Sequence, residues 1–235
     1  MITCPVCQHE NDNFALTCMS CKGFLQNRIP NLDLFETAWK IIESPRAAFR
    51  HIALADHKNY SLVLFAVFGI SLSFTGLWYF ELGSRFSTLL DLIIVALVSG
   101  PVLGLAASVV ISLVFHLFAK VSGGKAPFRT SLAVLAYSLT PVVLSVFLVL
   151  PIELLSFGMF MFTSNPHPYV IKPLSYVLLV GFDSLMTLWT ILLAVVGGMI
   201  AHGLSFAKSF AVILLLLAVL SGVFVLTSGN VARAF

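Results

Sequence analysis

The sequence predicts an all-α polytopic membrane protein with a small cysteine-rich head, and three observations carry that reading. Hydrophobic residues make up 59% of the chain and charged residues 10%, whereas soluble domains carry about 25% charged residues, so the apolar surface must meet lipid. Five segments long and apolar enough to cross a bilayer follow one another from about residue 59. All four cysteines fall within the first 21 residues. Three regions result: a head at 1–27, a linker and amphipathic helix at 28–58, and a five-span body at 59–230.

The head comes first. Cys4-Pro5-Val6-Cys7 and Cys18-Met19-Ser20-Cys21 are two C-x-x-C pairs with ten residues between them. Each pair can aim two thiolates at one tetrahedral ion, and together they complete a four-sulfur site. Asn11, Asp12 and Asn13 between the pairs favour a turn, and Gly23 marks the place where the second knuckle bends. So short a segment cannot fold on apolar burial alone, so a metal must supply the folding free energy. The spacing predicts a zinc ribbon holding structural Zn2+ on Cys4, Cys7, Cys18 and Cys21. An iron–sulfur centre uses the same ligands. A redox pair is the third reading, and it lacks the βαβ setting that such motifs occupy. The N-terminus shows no basic region followed by an apolar core, so no cleavable signal peptide is expected. A reduced, cytoplasmic setting favours metal binding over disulfides.

Residues 28–58 follow. Arg28-Ile29-Pro30-Asn31 reads as a short linker. Asp33 can cap a helix, with Glu36 three residues on. Leu34, Phe35, Ala38, Trp39, Ile41 and Ile42 recur at helical spacing, and Ser44-Pro45 interrupts and restarts the helix. Its apolar side suits either the lipid interface or packing against the bundle, and both readings stand.

The spans run at about 60–80, from Asp91 through the uncharged stretch 92–119, at 130–152, at 174–201 and at 208–228. Span two is long enough to require tilt or an end outside the hydrocarbon. Residues 154–162 either prolong span three or lie along the outer interface, and Glu153 beside Pro151 marks that outer end. With the head inside, ten basic residues lie on the cytoplasmic side and three outside, namely Arg85, Lys172 and Arg233. The positive-inside rule then puts the N-terminus in the cytoplasm and Phe235 across the membrane. Lys and Arg form no stripe, which speaks against a nucleic-acid partner.

Inside the membrane, Asp183 is the acidic residue that asks for a reason, because a charge at mid-bilayer is costly. It is read either as a proton or cation site or as a hydrogen-bonding partner for a neighbouring Ser, Thr or Tyr. Gly100-Pro101 with Gly104 in span two reads as a hinge or as a kink with close packing. Tyr137 and Pro141 place a hydroxyl and a kink one turn apart in span three; facing Gly100-Pro101 they would make a weak point. His116 and His202, near the cytoplasmic ends of spans two and four, are too few for a metal site and are expected to make interfacial hydrogen bonds. No catalytic set, paired carboxylates or phosphate loop is evident, so no enzymatic activity is expected.

Asp91-Leu92, Gly100-Pro101, Gly123-Gly124-Lys125-Ala126-Pro127-Phe128-Arg129 and Ala136-Tyr137-Ser138-Leu139-Thr140-Pro141 resemble the Yip family of Ypt/Rab-interacting membrane proteins. The stretch from Trp39 through Ser44-Pro45-Arg46 to Phe49 resembles its prokaryotic branch. The resemblance covers roughly residues 35–225. It implies five spans with an inside N-terminus, and an N-terminal zinc ribbon is typical of the bacterial and archaeal members. Eukaryotic members act in vesicle budding and bind Rab GTPases and one another, activities that do not carry over wholesale.

Together these readings predict a non-catalytic membrane-organising protein of the bacterial cytoplasmic membrane. Its zinc ribbon recruits a cytoplasmic protein partner, and its body contacts the lipid bilayer. Small-residue faces in spans two and four permit a homo-oligomer. The alternative is a subunit of a transport complex for a small solute or lipid.

Overall fold

The structure, a computed structural model, describes residues 2–12, 14–27 and 29–234, with the backbone alone at 227 and 229–234. Asn13, Arg28, Phe235 and the side chain of Arg233, on which parts of the turn, linker and outer-end expectations rest, lie outside the described residues.

In the head, β1 (Ile2–Thr3) pairs antiparallel with β2 (Glu10–Asn11), and Thr17 bridges Phe24. The next segment holds a strand pair that the sequence reading did not anticipate. β3 (Ile29–Asn31) lies parallel to β4 (Ala55–His57), and α1 (Leu34–Glu43) and α2 (Pro45–Leu54) form the crossover between them. Each strand has three residues and no alternation long enough to register as a period. The Asp33 carboxylate accepts from the Glu36 N–H at 2.8 Å, as expected of a cap. At the other end, the Lys58 ammonium donates to the carbonyls of Ile52 at 2.9 Å and Ala55 at 2.8 Å, closing the frayed end of α2. Burial there lowers the Lys58 pKa.

The packing reading of the amphipathic segment holds for α2. Ala48, Phe49 and Ile52 of α2 are buried against the bundle, and a Cβ on Gly197 would sit 2.9 Å from the Phe49 ring. Phe35 and Trp39 of α1 stay 83% and 66% exposed, which leaves that helix an open apolar side.

Five helical stretches are long and apolar enough to span a membrane: 61–79, 89–121, 128–162, 173–202 and 206–226. They comprise α3 (Ser61–Tyr79), α4 (Leu89–Val121), α5 (Phe128–Ser138) with α6 (Thr140–Phe157), α8 (Pro173–His202) and most of α9 (Phe206–Ala234); α7 (Pro168–Ile171) is a short turn before α8. Span three is broken where α5 meets α6. Pro141 has no N–H for the Tyr137 carbonyl, and the Thr140 hydroxyl takes that carbonyl instead at 2.7 Å. The stretch left open at 154–162 divides in two. α6 continues to Phe157, and Gly158 (φ 55°) then turns the chain into a 3-10 turn, Gly158–Phe162, that folds back on the bundle. There the Phe162 ring packs 5.9 Å from that of Phe74.

α3 and α4 approach closely along glycines. A Cβ on Gly100 would stand 2.6 Å from the Ile70 Cα, and one on Gly104 would meet the Phe65 carbonyl and Gly69. Gly100-x3-Gly104 is thus a small-residue seam that lets two backbones touch. α4 runs unbroken through Pro101.

Candidate functional site

Two knuckles build the cysteine head, and each uses the same backbone device. The Cys4 N–H donates to His9 and the Gln8 N–H returns to Cys4, both at 3.0 Å. The Cys18 N–H donates to Gly23 and the Lys22 N–H returns to Cys18, both at 2.9 Å. The residue after each second cysteine, Gln8 (φ 57°) or Lys22 (φ 56°), takes the left-handed conformation. The sharp bend therefore falls on Lys22 and not on Gly23. Gly23 is small for another reason: a Cβ there would press to 3.2 Å from the Cys21 sulfur.

The four sulfurs lie within 4.8 Å of one another. Cys4 and Cys21 are 3.5 Å apart, as are Cys7 and Cys18. A tetrahedron of thiolates about 2.3 Å from a zinc ion has edges of roughly 3.8 Å, so the set fits such an ion. The Cys7 backbone N–H lowers the pKa of the Cys4 thiol, and the Cys21 N–H lowers that of Cys18 to about 6. Both shifts favour the thiolates that a metal requires. Asn11 supplies support that the sequence reading missed. Read only as a turn former, it is buried, with its amide donating to the His9 carbonyl at 2.8 Å and approaching the Cys18 sulfur at 3.5 Å. Its carbonyl accepts from the Met19 N–H at 2.9 Å, tying one knuckle to the other.

The second site lies inside the spans. Asp183 of α8 accepts a hydrogen bond from the Ser145 hydroxyl of α6, which answers its need for a hydroxyl partner. Glu153 of α6 lines one cavity with it. Glu153 is 5% exposed and lies in the last turns of α6. Paired carboxylates, absent from the sequence reading, are therefore present, drawn from positions thirty residues apart. Helical spacing within one segment cannot reveal such a pair, because two different helices contribute it. The pair borders a cavity of about 410 Å³ lined by α3, α6 and α8.

The remaining candidates separate. Tyr137 is fully buried, and its hydroxyl donates to the Asn59 carbonyl at 3.0 Å. Asn59 stands just before α3, whereas Gly100 meets Ile70, about 15 Å further along that helix at 1.5 Å per residue. The structure thus does not set the Tyr137 hydroxyl against Gly100-Pro101. His116 and His202 do come together. Ser131 lies 2.7 Å from His116 Nδ1 and 3.0 Å from His202 Nε2. A hydroxyl between two imidazoles donates to one and accepts from the other, so Ser131 clamps α4, α5 and α8.

A family model, the Yip1 domain, matches residues 39–228, beginning beyond the cysteine head. No curated protein and no solved structure matches.

Proposed function

The chain belongs to the Yip1 domain family of membrane proteins, and on that premise we propose that it is a non-catalytic, membrane-organising protein that recruits a partner through its head. The ion in the head is zinc in a structural role. Four thiolates fill a tetrahedral site and leave no position for a substrate, so the ion shapes a surface. The observation that carries the reading is what that surface shows. Val6 on the first knuckle and Met19 on the second are 73% and 82% exposed. A metal-stapled head with apolar tips on both knuckles suits protein docking better than chemistry.

The head points into the cytoplasm of a bacterial cell, and the far end of α9 lies outside the inner membrane. Support comes from the basic loops at the head's end of the bundle: Lys125 approaches Asp12 of the head, and Lys208 donates to Ser122 at 3.3 Å. The partners are the bilayer, a cytoplasmic protein and a second copy of the chain, with no nucleic acid. The exposed side of α1 rests in the lipid interface, with Phe35 and Trp39 as its anchors.

Capture of partners from native membranes tests the reading. Val6→Asp with Met19→Asp should abolish capture and leave the bundle inserted; unchanged capture would refute recruitment by the head. A reporter fused after Phe235 should be active only outside the cytoplasm. The carboxyl pair and its cavity favour a second reading, a subunit of a transport complex for a small solute or lipid. Under that reading Asp183→Asn lowers flux, and full flux in that variant would remove it.

A further inference from the structure

The cavity between α3, α6 and α8 has an unusual balance of charge. Two carboxyl side chains, Glu153 and Asp183, line it together. Among the described residues, no Lys, Arg or His lines the cavity beside them. Glu153 is 95% buried, and its Oε1 has no hydrogen-bond partner among the described residues. A buried acceptor of this kind is costly to a fold unless something donates to it.

The walls indicate what that donor is. Phe74, Trp78 and Phe162 are aromatic, and Ser71, Thr75 and Thr187 add hydroxyls. The cavity, about 410 Å³ with mostly apolar walls, falls within the range of small-molecule sites, roughly 300–1,000 Å³. Aromatic walls also attract organic cations through their faces. Thr75 of α3 and Thr187 of α8 remain exposed, so the cavity opens sideways between those helices.

We propose that this cavity binds an organic ammonium group carried on an apolar body, with the Glu153 and Asp183 carboxyls that line it accepting the ammonium N–H groups and the aromatic walls around the body. The same chemistry comes from an aminolipid headgroup or from a free organic amine. The proposal goes beyond partner recruitment and uses no residue of the head, so either can fail without the other.

The test uses the full chain in dodecyl maltoside. In one arm, equilibrium dialysis measures radiolabelled phenethylamine against phenylethanol, its neutral counterpart. In the other, native mass spectrometry compares retained phosphatidylethanolamine with retained phosphatidylglycerol. Binding of the amine at least tenfold above the alcohol supports a free-amine ligand. Preferential retention of phosphatidylethanolamine supports a lipid ligand. Glu153→Leu should reduce whichever preference is seen. Equal binding of amine and alcohol together with equal retention of the two lipids overturns the proposal, as does an undiminished preference in Glu153→Leu. The comparisons on the unsubstituted chain decide the matter even if that variant fails to fold.

Discussion

Lys125, in the loop between α4 and α5, reaches Asp12 of the cysteine head across 3.6 Å. The two side chains are 71% and 46% exposed, so water and salt screen the pair, and such contacts contribute about 0–1 kcal/mol. This contact alone thus fastens the head only lightly. Lys125→Ala should shift thermal unfolding by less than about 4 °C, the change expected for 1 kcal/mol in a chain of this size. A larger loss would mean that this contact organises the loop as well as touching the head.

The metal should matter far more to the head than to the bundle. The sulfurs are the centre that β1, β2 and both knuckles fold around, and the described part of the head offers little other buried surface. Removing the ion with a strong chelator, or making Cys18→Ser, should unfold residues 1–27 while the spans stay helical. Elemental analysis of the purified chain should find one zinc ion per chain. Hydrogen exchange should show lost protection confined to the head. Iron in place of zinc, or full protection after chelation, would refute the structural-zinc reading.

The seam between α3 and α4 gives a contrast within one helix. Gly69 and Gly76 both belong to α3. A Cβ on Gly69 would run into the backbone of Gly100 and Gly104, whereas one on Gly76 would meet nothing within 4 Å. Gly69→Val should cost about 1–3 kcal/mol or more through forced separation of two backbones. Gly76→Ala should be neutral or slightly stabilising, since alanine favours the helix. Thermal unfolding of both variants in the same detergent checks the pair, and equal effects would contradict the close approach.

These comparisons show where the sequence was legible. Span positions followed from uninterrupted apolar length, which is a local property, and the four cysteines declared their cluster by spacing alone. The glycines of span two suggested close packing, although nothing in the chain named α3 as the partner. What stayed hidden depends on which elements meet. Glu153 and Asp183 look like unrelated acids until α6 and α8 are laid side by side. His116 and His202 looked like two separate interfacial residues until Ser131 was placed between them. Asn11 looked like a turn former because its bonds to the second knuckle cross seven or eight positions.

Tyr137 offers a test that separates support of the fold from function. Its hydroxyl holds the Asn59 carbonyl, just before the left-handed Tyr60 (φ 63°) that starts α3. If that is its whole role, Tyr137→Phe removes one hydrogen bond and leaves a carbonyl short of a donor. Such a loss costs about 1–3 kcal/mol. The variant should unfold earlier in a thermal scan and yet capture the same partners as the unsubstituted chain at a temperature where both are folded. Capture that falls while stability holds would move Tyr137 from the scaffold to the working surface.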